Sequence, residues 1–270
     1  SPHCTGSKAL SRYVQSRYYR APEVALGVLL QRERGTDAAL PQFETAVALA
    51  PENVLTHNHL AACQQLRGAI VETIAAYRRS LDLQPEDNPA SIGLFAAMQT
   101  ACDWDGFDAM RGRVDRVTGA ALAAGASPVE DPFLNVSHSM DPARNFAVAQ
   151  AWSGDIARRV AAWGVRFDHA PRTRDVLRIG YLSSDFHDHA TAHLMLGLFG
   201  AHDRSAVSVH AYACSPDDGS EYRRRIVEDC DGFVYLTGVP TLDAARRIHA
   251  DDIDILIDLK GYTPVSYTHL

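Results

Sequence analysis

Residues 176–193 read VLRIGYLSSDFHDHATAH, and their first half decides the fold of the second part of the chain. The segment 176–184 is a short apolar run rich in branched residues, which is typical of a buried strand. Three similar runs follow, and two helix-like segments alternate with them: AVSVHAYA at 206–213, GSEYRRRIVEDC at 219–230, GFVYL at 232–236, TLDAARRIHA at 241–250 and IDILIDL at 253–259. This alternation predicts a parallel, doubly wound sheet.

The first part of the chain contains an internal repeat instead. The segment GVLLQRERGTDAALPQFETAVALAPEN, which starts at Gly27, is echoed by AACQQLRGAIVETIAAYRRSLDLQPED, which starts at Ala61. Phe43 then corresponds to Tyr77, and prolines recur at the end of each unit. A period of 34 residues with small, aromatic and proline positions is the signature of tetratricopeptide helix pairs.

The repeat becomes irregular toward its end. A third, degraded unit is predicted from about Ser91, helices over 105–124 are expected to cap the array, and the proline-containing stretch 127–133 marks its exit. Within the first unit, Pro41 predicts a tight or distorted first turn of the second helix. A connecting helix is expected around Pro142–Val165, before the strands begin.

Composition narrows the classes of protein that the sequence fits. The chain has 270 residues, of which 46% are hydrophobic and 22% charged, so it is expected to fold around a core. The net charge of -7 is spread over segments of mixed sign, which argues against a nucleic-acid surface. Five cysteines without a CxxC pair predict neither disulfides nor a zinc knuckle, and a cytoplasmic location is expected. No apolar run has the ~18 residues that a membrane helix needs.

Chemically useful side chains follow the predicted strands. The loop after the first strand contains His187, His189 and His193, and ligands of parallel sheets bind at the carboxyl ends of the strands. The loop CSPDDGS at 214–220 contributes polar side chains, and Ser220 can cap the next helix. The last strand leads into KGYT at 260–263. Neither GxGxxG nor GxxxxGK[ST] occurs, so the sheet is not predicted to bind a dinucleotide or to form a P-loop.

Four segments of the sequence occur in the same order as in a known family. The segments CDW, LRIGYLSSDFHDHATAHLM, YACSPDDGS and RRIHADDIDILIDLKGYT resemble those of O-linked N-acetylglucosamine transferases, and the resemblance covers about 27–263. It implies an α plus α/β chain in which tetratricopeptide repeats precede a Rossmann-like parallel sheet, the first half of a GT-B glycosyltransferase. It also implies an inverting transfer of N-acetylglucosamine from UDP-GlcNAc to Ser or Thr of proteins, without a metal or cofactor. Protein or peptide substrates in the repeat groove and a UDP-sugar are then the expected partners, with no nucleic acid and no membrane.

The same resemblance assigns candidate site residues by motif. His189 is the candidate catalytic residue, whose imidazole either accepts or orients a proton or hydrogen-bonds the sugar, unless it is purely structural. The candidate sugar- or substrate-binding residues are His193, Asp217, Asp218, Lys260 and Thr263. Lys260 stands where many members of the family carry Asn, and the two aspartates also fit a solvated loop that caps a helix. A zinc site made by the three histidines lacks a cysteine and a recognised spacing, so no metal is predicted.

Both ends of the chain differ from this family. The stretch LSRYVQSRYYRAPEVALG at 10–27 resembles the activation segment of dual-specificity tyrosine-regulated and homeodomain-interacting kinases, with Tyr13 as its tyrosine and Ala21, Pro22 and Glu23 as its closing motif. The other kinase motifs do not occur in the sequence, so phosphoryl transfer is not predicted. The tail PVSYTHL at 264–270 resembles a translated sequencing-adapter remnant. We therefore expect a chimera that lacks the second catalytic domain and is inactive by itself.

The predicted organisation has five parts. These are a foreign kinase-like stretch at 1–26, repeats and capping helices at 27–125, a linker helix region at 126–175, the first catalytic subdomain at 176–263 and the tail at 264–270. Two alternative functions fit the same pattern. One is a protein N-glucosyltransferase of the same superfamily, and the other is a non-catalytic tetratricopeptide adaptor that binds peptides.

Overall fold

The computed structural model describes residues 22–34, 36–169, 171 and 173–261. Tyr13, Thr263 and the tail 264–270 lie outside the described residues. The internal contacts divide the chain into two units, with the division after Arg158. The sequence-based boundaries at 125 and 175 stay predictions.

Helices form the first part of the described chain. They are α1 (Pro22–Arg34), α2 (Thr36–Leu49), α3 (Val54–Leu66), α4 (Ile70–Leu83), α5 (Asn88–Ala101), α6 (Phe107–Ala123), α7 (Pro132–His138) and α8 (Pro142–Ala161). Helices α1 to α6 pack successively against their neighbours in sequence. The predicted helical repeat region is therefore confirmed, whereas its assignment to the tetratricopeptide class stays a prediction.

The 34-residue period is visible in where the helices begin. Helices α2 and α4 begin 34 residues apart, at Thr36 and Ile70, and α3 and α5 do so at Val54 and Asn88. Pro51 and Pro85 follow closely after the ends of α2 and α4, where a residue without an amide hydrogen prevents the helix from continuing. Helix α2 runs through Pro41, which lies in its second turn.

Each repeat unit packs an aromatic ring against a glycine of a neighbouring helix. A Cβ added at Gly27 would lie 2.6 Å from the Phe43 ring, and one added at Gly93 would lie 2.2 Å from Cζ of Tyr77. Both rings are buried. Because a side chain at either glycine would overlap the ring, each glycine lets its helix approach the aromatic residue closely. The two glycines are not equivalent in the repeat, since the counterpart of Gly27 is Ala61 and that of Gly93 is His59.

The region after the repeats is organised around a buried carboxylate. Glu130 is fully buried, and it accepts hydrogen bonds from Thr118 Oγ1 at 2.6 Å and Arg144 Nη2 at 3.2 Å, while His138 Nε2 pairs with its other oxygen. The indole N–H of Trp152 donates to the backbone oxygen of Glu130 at 2.9 Å. These contacts join α6, α7 and α8, since a buried charge is stable only when it is paired.

The second unit contains a four-stranded sheet and short helices. Its elements are β1 (Leu177–Ser183), α9 (Ala190–Met195), α10 (Leu198–Ala201), β2 (Val207–Ala213), α11 (Glu221–Asp229), β3 (Gly232–Tyr235), α12 (Thr241–Ala250) and β4 (Ile255–Asp258). The strand order is β3-β2-β1-β4, and all three pairings are parallel. The predicted parallel sheet is confirmed at each of the four segments that the sequence indicated.

The register aligns the carboxyl ends of the strands. Ser183 pairs with Ala213 across β1 and β2, and Leu182 pairs with Asp258 across β1 and β4. One face of the sheet packs on a core that includes Phe186, Phe199 and Ile226. The loops that follow β1, β2 and β4 therefore emerge side by side at one edge of the sheet.

Within the part of the chain that the structure describes, no helix is long and apolar enough to cross a membrane.

The ring-on-glycine contact can be tested in helix α5. We expect Gly93→Ala to lower the stability of the repeat region, because overpacking costs about 1–3 kcal/mol and exceeds the roughly 1 kcal/mol that alanine gains in helix propensity. Gly119→Ala in α6 is the matched control, since its added Cβ would meet nothing within 4 Å beyond the adjacent backbone of its own helix, and it should stabilise by about 0.5–1 kcal/mol. Urea denaturation followed by circular dichroism measures both. Equal effects of the two substitutions would contradict the contact.

Candidate active site

The candidate site lies at the carboxyl ends of β1, β2 and β4. The segment 184–189 follows β1, the segment 214–220 follows β2, and Lys260 comes two residues after β4. This is the edge at which open parallel sheets bind their ligands.

A buried ion pair joins the ends of β1 and β4. Lys260 Nζ lies 2.5 Å and 2.7 Å from the two carboxylate oxygens of Asp185, and the side chains of Asp185 and Lys260 are only 6% and 8% exposed. Burial raises the pKa of the Asp185 carboxyl, but the hydrogen bond and the positive charge of Lys260 outweigh it, so the pKa lies below its ordinary value. Asp185 is therefore a carboxylate at neutral pH.

His189 lies next to this pair and caps a helix. It is the N-cap of α9, and its Nδ1 accepts a hydrogen bond from the Thr191 backbone N–H at 3.2 Å. Nδ1 also lies 3.7 Å from Oδ2 of Asp185. The His189 side chain is 41% exposed, so part of the imidazole is accessible from solvent.

Asp218 ties the loop after β2 to the loop after β1. Its Oδ2 accepts a hydrogen bond from the Asp188 backbone N–H at 2.8 Å, and its Oδ1 accepts one from the Ser220 N–H at 3.1 Å. The Asp188 amide is the main reason that the pKa of Asp218 falls to about 2. Asp217 is exposed and accepts a hydrogen bond from the Gly219 N–H at 2.9 Å. Ser220 caps α11 through the Arg223 N–H, as the sequence predicted.

The other two loop histidines have different surroundings. His193 Nε2 lies 2.6 Å from Oδ1 of Asp188, and its ring packs against that of Tyr222 with the centroids 4.0 Å apart and the planes tilted by 31°. The His187 ring lies 5.4 Å from that of His189. Among the described residues, no group of three His, Cys, Asp or Glu side chains is placed to hold a metal ion.

A buried arginine crosses behind both loops. Arg223 is 1% exposed, and its guanidinium donates to the backbone oxygen of Phe186 at 2.6 Å and to that of Ser215 at 3.2 Å. Its Cζ lies 4.6 Å from the ring centroid of Phe233 and 4.9 Å from that of Tyr235, within the range of cation–π attraction. Arg223 therefore fixes the spacing of the loops after β1 and β2.

Residues 101–268, more than half of the chain, match the model of glycosyl transferase family 41. The chain belongs to this family. The family 41 match spans both site loops, the Asp185–Lys260 pair and the whole sheet.

Two curated relatives are N-acetylglucosaminyltransferases. The chain is 31% identical over 178 residues to a probable UDP-N-acetylglucosamine–peptide N-acetylglucosaminyltransferase SEC of Arabidopsis thaliana, a match that covers 63% of this chain and 18% of the relative. It is 33% identical over 173 residues to the UDP-N-acetylglucosamine–peptide N-acetylglucosaminyltransferase of Caenorhabditis elegans, covering 61% of this chain and 15% of the relative. The chain thus spans less than a fifth of the length of these two proteins.

A solved structure of a mutant O-GlcNAc transferase from Thermobaculum terrenum is also similar. It aligns with 94% of this chain and 42% of its own chain, at 22% identity and a TM-score of 0.45.

The structure brings most of the predicted site residues of this family 41 chain to the same sheet edge. His189 and Lys260 flank Asp185. The Asp218 side chain bonds the backbone amide of Asp188, and His193 contacts the Asp188 side chain. Sequence reasoning missed Asp185 and Arg223. The position of Asp185, directly after SS at the end of the first strand, was a signal that could have found it, but nothing in the sequence marks Arg223 as buried.

Replacing Lys260, the cation of the buried pair, should show how much the pair contributes to stability. We expect Lys260→Met to destabilise the family 41 sheet by about 3–5 kcal/mol, because Asp185 is left as an unpaired buried charge. Adding Asp185→Asn should restore most of that loss. Hydrogen exchange of the β1 and β4 amides measures the local free energy of opening. If the double variant is as unstable as the single one, the ion pair is not the cause.

The pH dependence follows from the lowered pKa of Asp185. A depressed folded-state pKa contributes stability that is present above the unfolded value of about 3.9 and is lost as the pH falls through the folded value. Protection of the β1 and β4 amides should therefore decline below about pH 4 in the wild type. This decline should be smaller in Lys260→Met.

The stability of the sheet unit should fall when Arg223 is replaced by lysine, although the charge is kept. We expect Arg223→Lys to cost roughly 1–3 kcal/mol, because lysine cannot bond two carbonyls in the fork geometry of a guanidinium. Arg224→Lys, at the exposed neighbour, should change stability by no more than about 0.5 kcal/mol. Amide NMR spectra locate the effect, which should concentrate in the loops 184–189 and 214–220. If both variants respond equally, the two hydrogen bonds of Arg223 do not hold the loops.

Proposed function

We propose that the chain is part of a protein O-linked N-acetylglucosaminyltransferase, which transfers N-acetylglucosamine from UDP-GlcNAc to Ser or Thr hydroxyls of proteins. Family 41 membership carries the proposal, and the names of the two curated relatives support the donor sugar and the peptide acceptor. The sheet is then the first Rossmann-like half of a GT-B enzyme, and the helix pairs are tetratricopeptide units that hold the protein substrate.

The arrangement at the sheet edge supports roles for the predicted site residues. His189 presents an accessible imidazole edge beside the Asp185–Lys260 pair, where a sugar or an acceptor hydroxyl can reach it. Asp218 keeps the histidine loop against the loop after β2, and Asp217 and His193 are exposed at the rim. Thr263, which lies outside the described residues, is proposed to bind the sugar. We propose transfer with inversion, without a metal or cofactor, in the cytoplasm.

The experiment uses the complete gene product that contains this chain. Purified protein is incubated with UDP-GlcNAc and an acceptor protein, and mass spectrometry of the acceptor identifies both the sugar and the modified side chain. We expect N-acetylhexosamine on Ser or Thr. Glucose on Asn would contradict the proposal and favour an N-glucosyltransferase, while peptide binding without any transfer would favour an adaptor.

The role of His189 can be tested by comparing the transfer rates of two alanine variants. His189→Ala should lower the transfer rate about 100-fold or more, with peptide binding retained, because a group that contacts the reacting atoms contributes at least that factor. His169→Ala is the matched control, since His169 is an exposed histidine of the same unit that contacts His249 rather than the loops of the site. If the two variants keep equal activity, His189 is not part of the machinery.

A further inference from the structure

The neighbouring Asp185 and His189 resemble the carboxylate–imidazole pair of a proton relay. In such a pair the carboxylate accepts a hydrogen bond from Nδ1–H, and Nε2 is left free to accept a proton from a hydroxyl group. An acceptor hydroxyl in a transferase would be activated in this way.

The hydrogen bonds of His189 do not allow that arrangement. Nδ1 lies 3.7 Å from the Asp185 oxygen, beyond hydrogen-bond range, whereas it lies 3.2 Å from the Thr191 backbone nitrogen. A backbone N–H can only donate, so Nδ1 must offer its lone pair. In a neutral imidazole only one nitrogen carries hydrogen, and here that nitrogen is Nε2.

Asp185 is meanwhile engaged by other donors. Lys260 Nζ contacts both of its oxygens, Ser184 Oγ donates to Oδ1 at 3.2 Å, and Thr191 Oγ1 donates to Oδ2 at 3.3 Å. These contacts orient the carboxylate toward the end of β4 and the start of α9. Both oxygens of Asp185 therefore already accept hydrogen bonds from groups other than the His189 imidazole.

We propose that His189 works as a hydrogen-bond donor through Nε2–H, toward an oxygen of the bound sugar nucleotide, and that the Thr191 amide fixes this tautomer. Within the described residues, Nε2 has no hydrogen-bond partner, and the side chain is 41% exposed. Neutral His189 is then unable to accept the proton of an acceptor hydroxyl at Nε2. The identity of the ligand rests on the proposed function, but the tautomer does not.

His193 provides an internal reference in the same loop region. Its Nε2 lies 2.6 Å from the Asp188 carboxylate, so its tautomer is set by a different partner. A change that removes the Thr191 amide should alter His189 and leave His193 as it was.

The test uses the chain labelled with ¹⁵N in its histidines and backbone, at a pH where the imidazoles are neutral. Long-range proton–nitrogen NMR spectra report which ring nitrogen carries hydrogen, and His189→Gln assigns the signals. We expect hydrogen on Nε2 of His189 and a nitrogen–nitrogen coupling across the hydrogen bond between Nδ1 and the Thr191 amide. Hydrogen on Nδ1 would overturn the proposal whether or not the protein transfers sugar.

Two substitutions at one position separate the amide from the hydroxyl group. Thr191→Pro removes the amide hydrogen in the first turn of α9, where proline is tolerated, and should convert His189 to a mixture of tautomers. Thr191→Ala removes only the hydroxyl group and should leave Nε2–H in place. If the tautomer changes in Thr191→Ala, the Thr191 hydroxyl rather than the amide fixes it. The wild-type coupling decides the question by itself if Thr191→Pro does not fold.

Discussion

The buried ion pair between Asp185 and Lys260 is the contact on which the candidate site depends. Parallel strands end at the same edge, but their register alone does not hold the loops that follow them. Asp185 extends the end of β1 and Lys260 extends the end of β4, so their attraction joins two segments that are 75 residues apart in sequence. Because both charges are buried, separating them costs far more than separating a pair on the surface. His189 lies beside this pair and is held by the helix that it caps.

A second constraint acts between β1 and β2. Arg223 offers its guanidinium to two backbone oxygens, one in each loop, and Asp218 offers a carboxylate oxygen to an amide of the histidine loop. One group is a buried cation that donates, and the other is an exposed anion that accepts. The loops are thus connected from the core side by Arg223 and from the solvent side by Asp218. This leaves the imidazole of His189 as an accessible group on a loop held in place by others.

The sequence predicted the fold well because the fold depends on periodic patterns. The apolar runs became β1 to β4, and the 34-residue repeat became helices with the same offset, since the spacing of apolar residues that predicts a strand or a helix is a local property of the sequence. The site was predicted only in part. His189 and Lys260 lie in the loops that follow their strands, whereas the pairing of Asp185 with Lys260 depends on which side chains meet across the sheet. Arg223 was missed because a charged residue in a helix is normally exposed, and only the positions of Phe186 and Ser215 show that it is enclosed.

The charges of the two site loops indicate which part of a sugar nucleotide they can bind. The segments 184–189 and 214–220 contain four aspartates and no lysine or arginine. The nearby cations, Lys260 and Arg223, are held by Asp185 and by backbone oxygens respectively. A diphosphate is attracted by cations, and these two loops carry none of their own. We therefore expect them to bind neutral hydroxyl groups, such as those of a sugar or an acceptor side chain, rather than to supply the positive charge for the diphosphate of the proposed donor. A hydrogen-bond donor at His189 Nε2 is consistent with the binding of neutral groups, because it recognises an oxygen without adding a fixed charge.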